Sequence, residues 1–188
     1  MLQILCLDIG TDLLPAVALG GEAPNARALA RPPMGRHLID GALLRRVFVV
    51  LGPAEALIEM AAFVVALVAA GWSPGVSFPT GHTLAAASGA AFTAVVIGQA
   101  ANAFACRSAT RWPGRLGWAS NPLLLGAVAV ELAALAGFLL IAPVASLLDQ
   151  APPPAAGFAV ALLAAPVLLA VDAIHKRARA ARRERDVG

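Results

Sequence analysis

Asp8, Thr11 and Asp12 stand inside an apolar stretch, Leu2 to Leu19, that carries no basic residue. Spacings of three and four put their side chains on one face of a helix. As helix, the 18 residues of this stretch extend about 27 Å, close to the roughly 30 Å hydrocarbon core of a bilayer. Each aspartate at mid-membrane depth costs on the order of 3 kcal/mol, and nothing in the stretch neutralises either. A bound cation is the most economical reason for their presence. Pro15 lacks an N–H and its ring clashes with the carbonyl of Thr11, while Gly10 loosens the same turn. The expected result is an opened helix with free carbonyl oxygen beside two carboxylates and a hydroxyl. Oxygen-only ligands suit hard cations rather than zinc or copper, and irregular backbone at this depth is tolerated where it lines an ion site. The competing reading is a pair of protonated acids, hydrogen-bonded to neighbouring helices and serving packing alone.

Other polar residues in apolar runs extend the set. Gln99 and Asn102, three apart, offer amide oxygens to a bundle interior; their plain alternative is interhelical hydrogen bonding worth roughly 0.6–2 kcal/mol. Glu55 and Glu59 share a helix face one turn apart. Glu55 follows Gly52-Pro53 near the cytoplasmic interface and reads as structural, or as part of an access route, rather than as a ligand. Glu59 and the isolated Glu131 are secondary candidates, because an intramembrane acid is a functional candidate by default. Asp172 and Lys176 are four apart and read as an ordinary salt bridge. The small residues from Ala85 to Ala91 read as close helix packing.

Catalytic signatures are missing. His37, His82 and His175 are scattered, and Cys6 and Cys106 are expected on opposite membrane faces, unpaired. The sequence holds no zinc-ligand spacing, P-loop, dinucleotide fingerprint or nucleophile elbow. No catalytic or cofactor-binding residue is assigned.

The elements that must position these groups are membrane spans. The chain is 60% hydrophobic and 13% charged with mean hydropathy +0.79, too little polar surface for a soluble domain of this length. Apolar runs predict an all-α bundle of five transmembrane helices, over about 2–19, 44–70, 83–105, 123–141 and 155–171. The last is the shortest and is interrupted at Pro166. All 14 Lys and Arg fall within Arg27–Arg46, Arg107–Arg115 and Lys176–Arg185, and the connections between, Gly71–His82 and Ala142–Pro154, contain none. The positive-inside rule then makes loops 20–43 and 106–122 and the C-terminus cytoplasmic. Arg31-Pro32-Pro33 predicts a stiff basic first loop suited to a soluble domain or anionic lipid. The division is a membrane domain over 1–175 and a basic cytoplasmic tail over 176–188. The first stretch lacks the basic flank of a signal peptide, and the chain reads as the back portion of something longer.

The stretch Leu5-Cys6-Leu7-Asp8-Ile9-Gly10-Thr11-Asp12-Leu13-Leu14-Pro15 closely resembles the sixth transmembrane helix of type II P-type cation-transporting ATPases. Arg31-Pro32-Pro33 is similar to an element of their following cytoplasmic loop. By this resemblance the five spans correspond to helices six to ten, the C-terminal cation-transporter region. It implies that Asp8, Thr11 and Asp12 ligate a transported metal ion, joined by Gln99 and Asn102 from the eighth helix. Asp8, and Gln99 where calcium pumps carry an acid, make the motif most similar to the sodium/potassium-pump branch. Glu131 falls near an acidic pair of that branch's ninth helix.

The implied function is ion transport by a translocase in the cell membrane, with Na⁺, K⁺ or H⁺ favoured over Ca²⁺ and MgATP used only by the complete pump. The Asp-Lys-Thr-Gly-Thr phosphorylation motif, the nucleotide domain and the first five helices are not in this sequence. On that reading the chain does not hydrolyse ATP by itself; its partners are the bilayer and the remaining pump domains, on the same or a separate polypeptide, with no nucleic acid. The alternatives are an independent small cation channel or secondary carrier, and a non-catalytic split half that assembles with a partner.

Overall fold

The computed structural model describes residues 13–22 and 39–185; Asp8, Thr11 and Asp12 lie outside the described residues. Among the described residues there are helices and connecting turns and no strand. Four helical runs are long and apolar enough to cross a membrane: Gly41–Ala69, His82–Cys106, Pro122–Leu140 and Ala155–Arg182. They correspond to the second to fifth expected spans. Of the first, helix α1 (Leu13–Gly20) is described.

The second span begins three residues before the expected position 44, because Asp40 caps it. The Asp40 carboxylate accepts the N–H of Leu43 at 2.7 Å, satisfying one orphan donor of the first turn. Helix α2 (Gly41–Arg45) then widens into a π-helical turn, Arg46–Leu51, before α3 (Gly52–Ala69). Pro53 explains the widening. In a regular helix its ring would collide with the carbonyl four residues back; here the Gly52 N–H reaches Val47 O instead, a five-residue step that opens the wall. A Cβ on Gly52 would lie 3.0 Å from that same oxygen.

Helix α4 (His82–Cys106) is the central post and has residues buried on several faces, most of them Ala or Gly. Small side chains let backbones approach closely where lipid gives no hydrophobic drive. Ala62, Ala66 and Leu67 of α3 meet Ala87, Ala90 and Ala94 of α4 in the main cluster. A Cβ on Gly89 would run into the carbonyl of Ala151, and one on Gly157 would sit 2.8 Å from Ala66 Cβ. The small-residue run is close packing, as its composition suggested. Thr93 is fully buried yet satisfied, donating to Gly89 O at 2.7 Å.

A short turn, α5 (Pro113–Leu116), leads to α6 (Pro122–Leu140). Asn121 caps α6 by accepting the N–H of Leu124 at 3.0 Å, and Pro122 fits the first turn, where no N–H is needed. Helix α7 (Ala142–Leu147) turns the chain at the opposite end. The last span is broken at Leu163 into α8 (Ala155–Leu162) and α9 (Ala164–Arg185). Pro166 cannot donate to the Leu162 carbonyl, which accounts for the break. Beyond it the helix runs well past the expected end at 171, so the basic stretch from Lys176 is a continuation of the span. Leu57, Phe48, Leu123 and Leu140 are each 63% or more exposed, a distribution that suits acyl chains as solvent and not water.

Candidate cation site

Helices α1 and α4 meet where Pro15, Ala16 and Leu19 face Gln99, Asn102 and Cys106, lining an open cleft of about 220 Å³. Gln99 and Asn102 thus both face the proline turn of α1, which follows the aspartate motif in sequence. Asn102 is pinned from its other side: its Nδ2 donates to Glu55 Oε2 of α3 at 3.0 Å. Its Oδ1 is buried and has no hydrogen-bond partner. A buried carbonyl oxygen left unsatisfied costs about 1–3 kcal/mol, unless something electropositive sits against it. Asn102 therefore has the donor chemistry a hard cation requires.

Glu55 reaches this position because α4 has a notch for it. A Cβ on Gly98 would lie 2.9 Å from Glu55 Oε1, so the carboxylate occupies the space a side chain would fill. Gly98 and Asn102 are one turn apart and bracket it. Glu55, Ile58, Ala62 and Ala66 recur at helical spacing along α3, and Ile58 packs with the buried alanines against α4. Glu59 is one turn along α3 from Glu55 and partly buried.

Glu131 is completely buried. It belongs to the stripe Leu124, Ala127, Glu131, Leu135, Leu139 that α6 turns inward. Ala127 clusters with Ala103 of α4 and Leu135 with Val96, so Glu131 lies between two patches of α6 that pack on α4. Among the described residues, no three His, Cys, Asp or Glu side chains converge on one point. The described part of the site is built from amides and single carboxylates on different helices.

Two ionic clusters fasten the basic end of the bundle. Asp172 is fully buried and is held by Lys176 at 2.5 Å, the expected salt bridge, and also by Arg46 at 2.6 Å. Lys176 and Arg46 both donate to Ala105 O, at 2.9 and 3.4 Å, capping the carbonyl end of α4 with positive charge. The sequence placed Arg46 in a basic group at the start of the second span; in the interior it is held by Asp172 and by Ala105 O. The second cluster joins α1 to the α4–α6 connection. Arg107 donates to Glu22 at 2.6 Å and to the carbonyl of Gly117 at 2.8 Å. Asn121 Nδ2 donates to Glu22 Oε2 at 2.8 Å and to Ala18 O at 3.1 Å. The Arg107 guanidinium holds the Glu22 carboxyl below its usual range, against the opposing effect of burial. Residues from all three basic segments of the sequence thus gather at one end.

A membrane-spanning helical bundle with polar oxygen donors on facing helices is the architecture of an ion-translocating domain. A family model described as "Cation transporting ATPase, C-terminus" matches residues 1–178, and the chain belongs to that family, as a membrane domain of P-type cation ATPases. It is also similar to the sodium/potassium-transporting ATPase subunit alpha-4 of Rattus norvegicus, 32% identical over 76 residues. That alignment covers 39% of this chain and 7% of the rat protein, so the chain spans only a small fraction of that relative's length.

Proposed function

We propose that this domain supplies the intramembrane oxygen ligands of an ATP-driven cation pump. Asp8, Thr11 and Asp12 contribute from the first span, and Gln99 and Asn102 from α4, with Glu131 and Glu59 as secondary oxygen donors. The observation that supports this best is the buried, unsatisfied Oδ1 of Asn102, a residue that also lines the cleft with Gln99 and Pro15. The carboxylates offset the charge of the dehydrated ion, and the amides replace part of its water shell without adding charge. Sites of that kind favour Na⁺, K⁺ or H⁺ over Ca²⁺, whose sites are usually richer in carboxylates. The energy comes from MgATP hydrolysis in the remaining pump domains, which these helices join within the bilayer. The basic end, with loops 20–43 and 106–122 and the C-terminus, faces the cytoplasm by the positive-inside rule.

The test is equilibrium binding of radioactive sodium, rubidium and calcium to the pump containing this chain, with Gln99→Ala and Asn102→Ala compared with the parent. Weakened binding of a monovalent ion in both variants, at unchanged thermal stability, is the expected result. Binding that neither variant alters overturns the ligand assignment.

A further inference from the structure

Glu55 is the carboxylate that the ligand set does not use, yet it is built into the same place. Its Oε2 accepts the Asn102 amide N–H at 3.0 Å, and its Oε1 fills the Gly98 notch, 2.9 Å from where a Cβ would stand. An ionised carboxylate only accepts hydrogen bonds, whereas a side-chain amide offers donors on nitrogen and an acceptor on oxygen. Turning the Asn102 amide over would set its oxygen against Glu55 Oε2, two acceptors at hydrogen-bond distance. With its carboxyl ionised, Glu55 permits one amide orientation, the one observed, and in that orientation Oδ1 is the atom left over.

The π-helical turn explains how Glu55 comes to be there. A five-residue step inserted at Arg46–Leu51 shifts the phase of everything after it. Glu55, Ile58, Ala62 and Ala66 then form the stripe that faces α4. The proline, the wide turn, the carboxylate and the glycine notch act as one device.

We propose that Glu55 is a positioning residue of the cation site, locking the Asn102 amide so that its carbonyl oxygen is presented to the transported ion. This rests on the reading of Gln99 and Asn102 as ligands. Glu55 acts through Asn102 and has no need to touch the ion. A Gln at position 55 carries an amide that either donates or accepts, so it tolerates both orientations of Asn102 and releases the lock while keeping the shape. An Asp keeps the charge but is one methylene too short to hold the contact.

The experiment is a double-mutant cycle read by equilibrium binding of radioactive sodium and rubidium to the pump containing this chain, with thermal unfolding measured on every variant. Glu55→Gln is expected to weaken cation binding about tenfold, the usual scale for losing a group that orients a ligand. That loss is expected to vanish in an Asn102→Ala background, which a general structural role would not produce. Glu55→Asp should lose affinity as well, and it carries the same comparison where Glu55→Gln unfolds. Unchanged binding in Glu55→Gln, an equal loss with and without Asn102, or full affinity in Glu55→Asp each overturns the proposal. Gln99→Ala separates the two failures. If it weakens binding while Glu55→Gln does not, only the positioning role is wrong; if neither Gln99→Ala nor Asn102→Ala changes binding, the ligand reading has failed and takes this one with it.

Discussion

Arg107 and Glu22 are 85 positions apart in sequence and are joined at 2.6 Å, tying the end of α1 to the end of α4. These are the two helices whose facing surfaces line the candidate site. Arg107 is 1% exposed while Glu22 is 28% exposed, so the guanidinium depends on its partners and the carboxylate does less so. Replacing Arg107 by Met removes the charged donor of Glu22, leaving it the Asn121 amide, and leaves Gly117 O the Ser120 hydroxyl alone. The expected cost is about 2 kcal/mol, the scale of a hydrogen bond to a charged group, read as a lower thermal unfolding temperature in detergent.

The same pair sets an acid limit. Because Arg107 lowers the Glu22 carboxyl in the folded protein, the contribution of Glu22 is fully present above its unfolded value near 4.5. It is lost as pH falls through the depressed folded value. Stability is therefore expected to be insensitive to this group at neutral pH and to fall once the pH drops below the unfolded value near 4.5. Glu22→Gln should lower stability at neutral pH and remove that part of the acid slope in a pH series of unfolding curves.

Asp172 and Lys176 make an unequal pair for mutation. Asp172 is shared by two cations, so Asp172→Asn leaves Arg46 and Lys176 facing each other in a buried space. That change is expected to cost about 3–5 kcal/mol. Lys176→Met leaves the Arg46–Asp172 bond intact and should cost clearly less. Comparing the two unfolding temperatures checks the order; equal losses would argue against Arg46 as the second partner.

Gly98→Ala tests the notch. The added methyl would sit 2.9 Å from Glu55 Oε1 and 3.1 Å from Leu168 Cδ1, so the carboxylate must move. Overpacking of this kind costs about 1–3 kcal/mol, and the displaced Glu55 should weaken cation binding in parallel. Loss of stability alone, with binding intact, would mean that the notch serves packing only.

Much of the bundle was legible in the sequence because lipid leaves so few solutions. Apolar runs, a one-sided distribution of Lys and Arg, and small residues at the packing face each follow from the bilayer as solvent. Ends were less legible. The Asp40 cap moved the start of the second span, and Arg46 and Lys176 are both buried because Asp172 gives each a partner in the interior. The amide pair Gln99 and Asn102 was visible from its spacing, and the structure brings it to the α1 face. The Glu55 contact was not visible. Its phase depends on a π-helical turn that the Gly52-Pro53 pair marks but does not measure, and its space depends on a glycine in another helix. The Arg107–Glu22 tie was hidden for a simpler reason: its distance along the chain gives no periodic signal.

The central claim is that the acids of the first span and the amides of α4 hold one transported cation. Asp12→Asn tests it most directly, with sodium and rubidium affinity measured at equilibrium on the pump that carries this chain. Removing a charged ligand is expected to weaken binding about a hundredfold, well beyond the effect of Glu55→Gln. Affinity equal to that of the parent in Asp12→Asn would contradict the account.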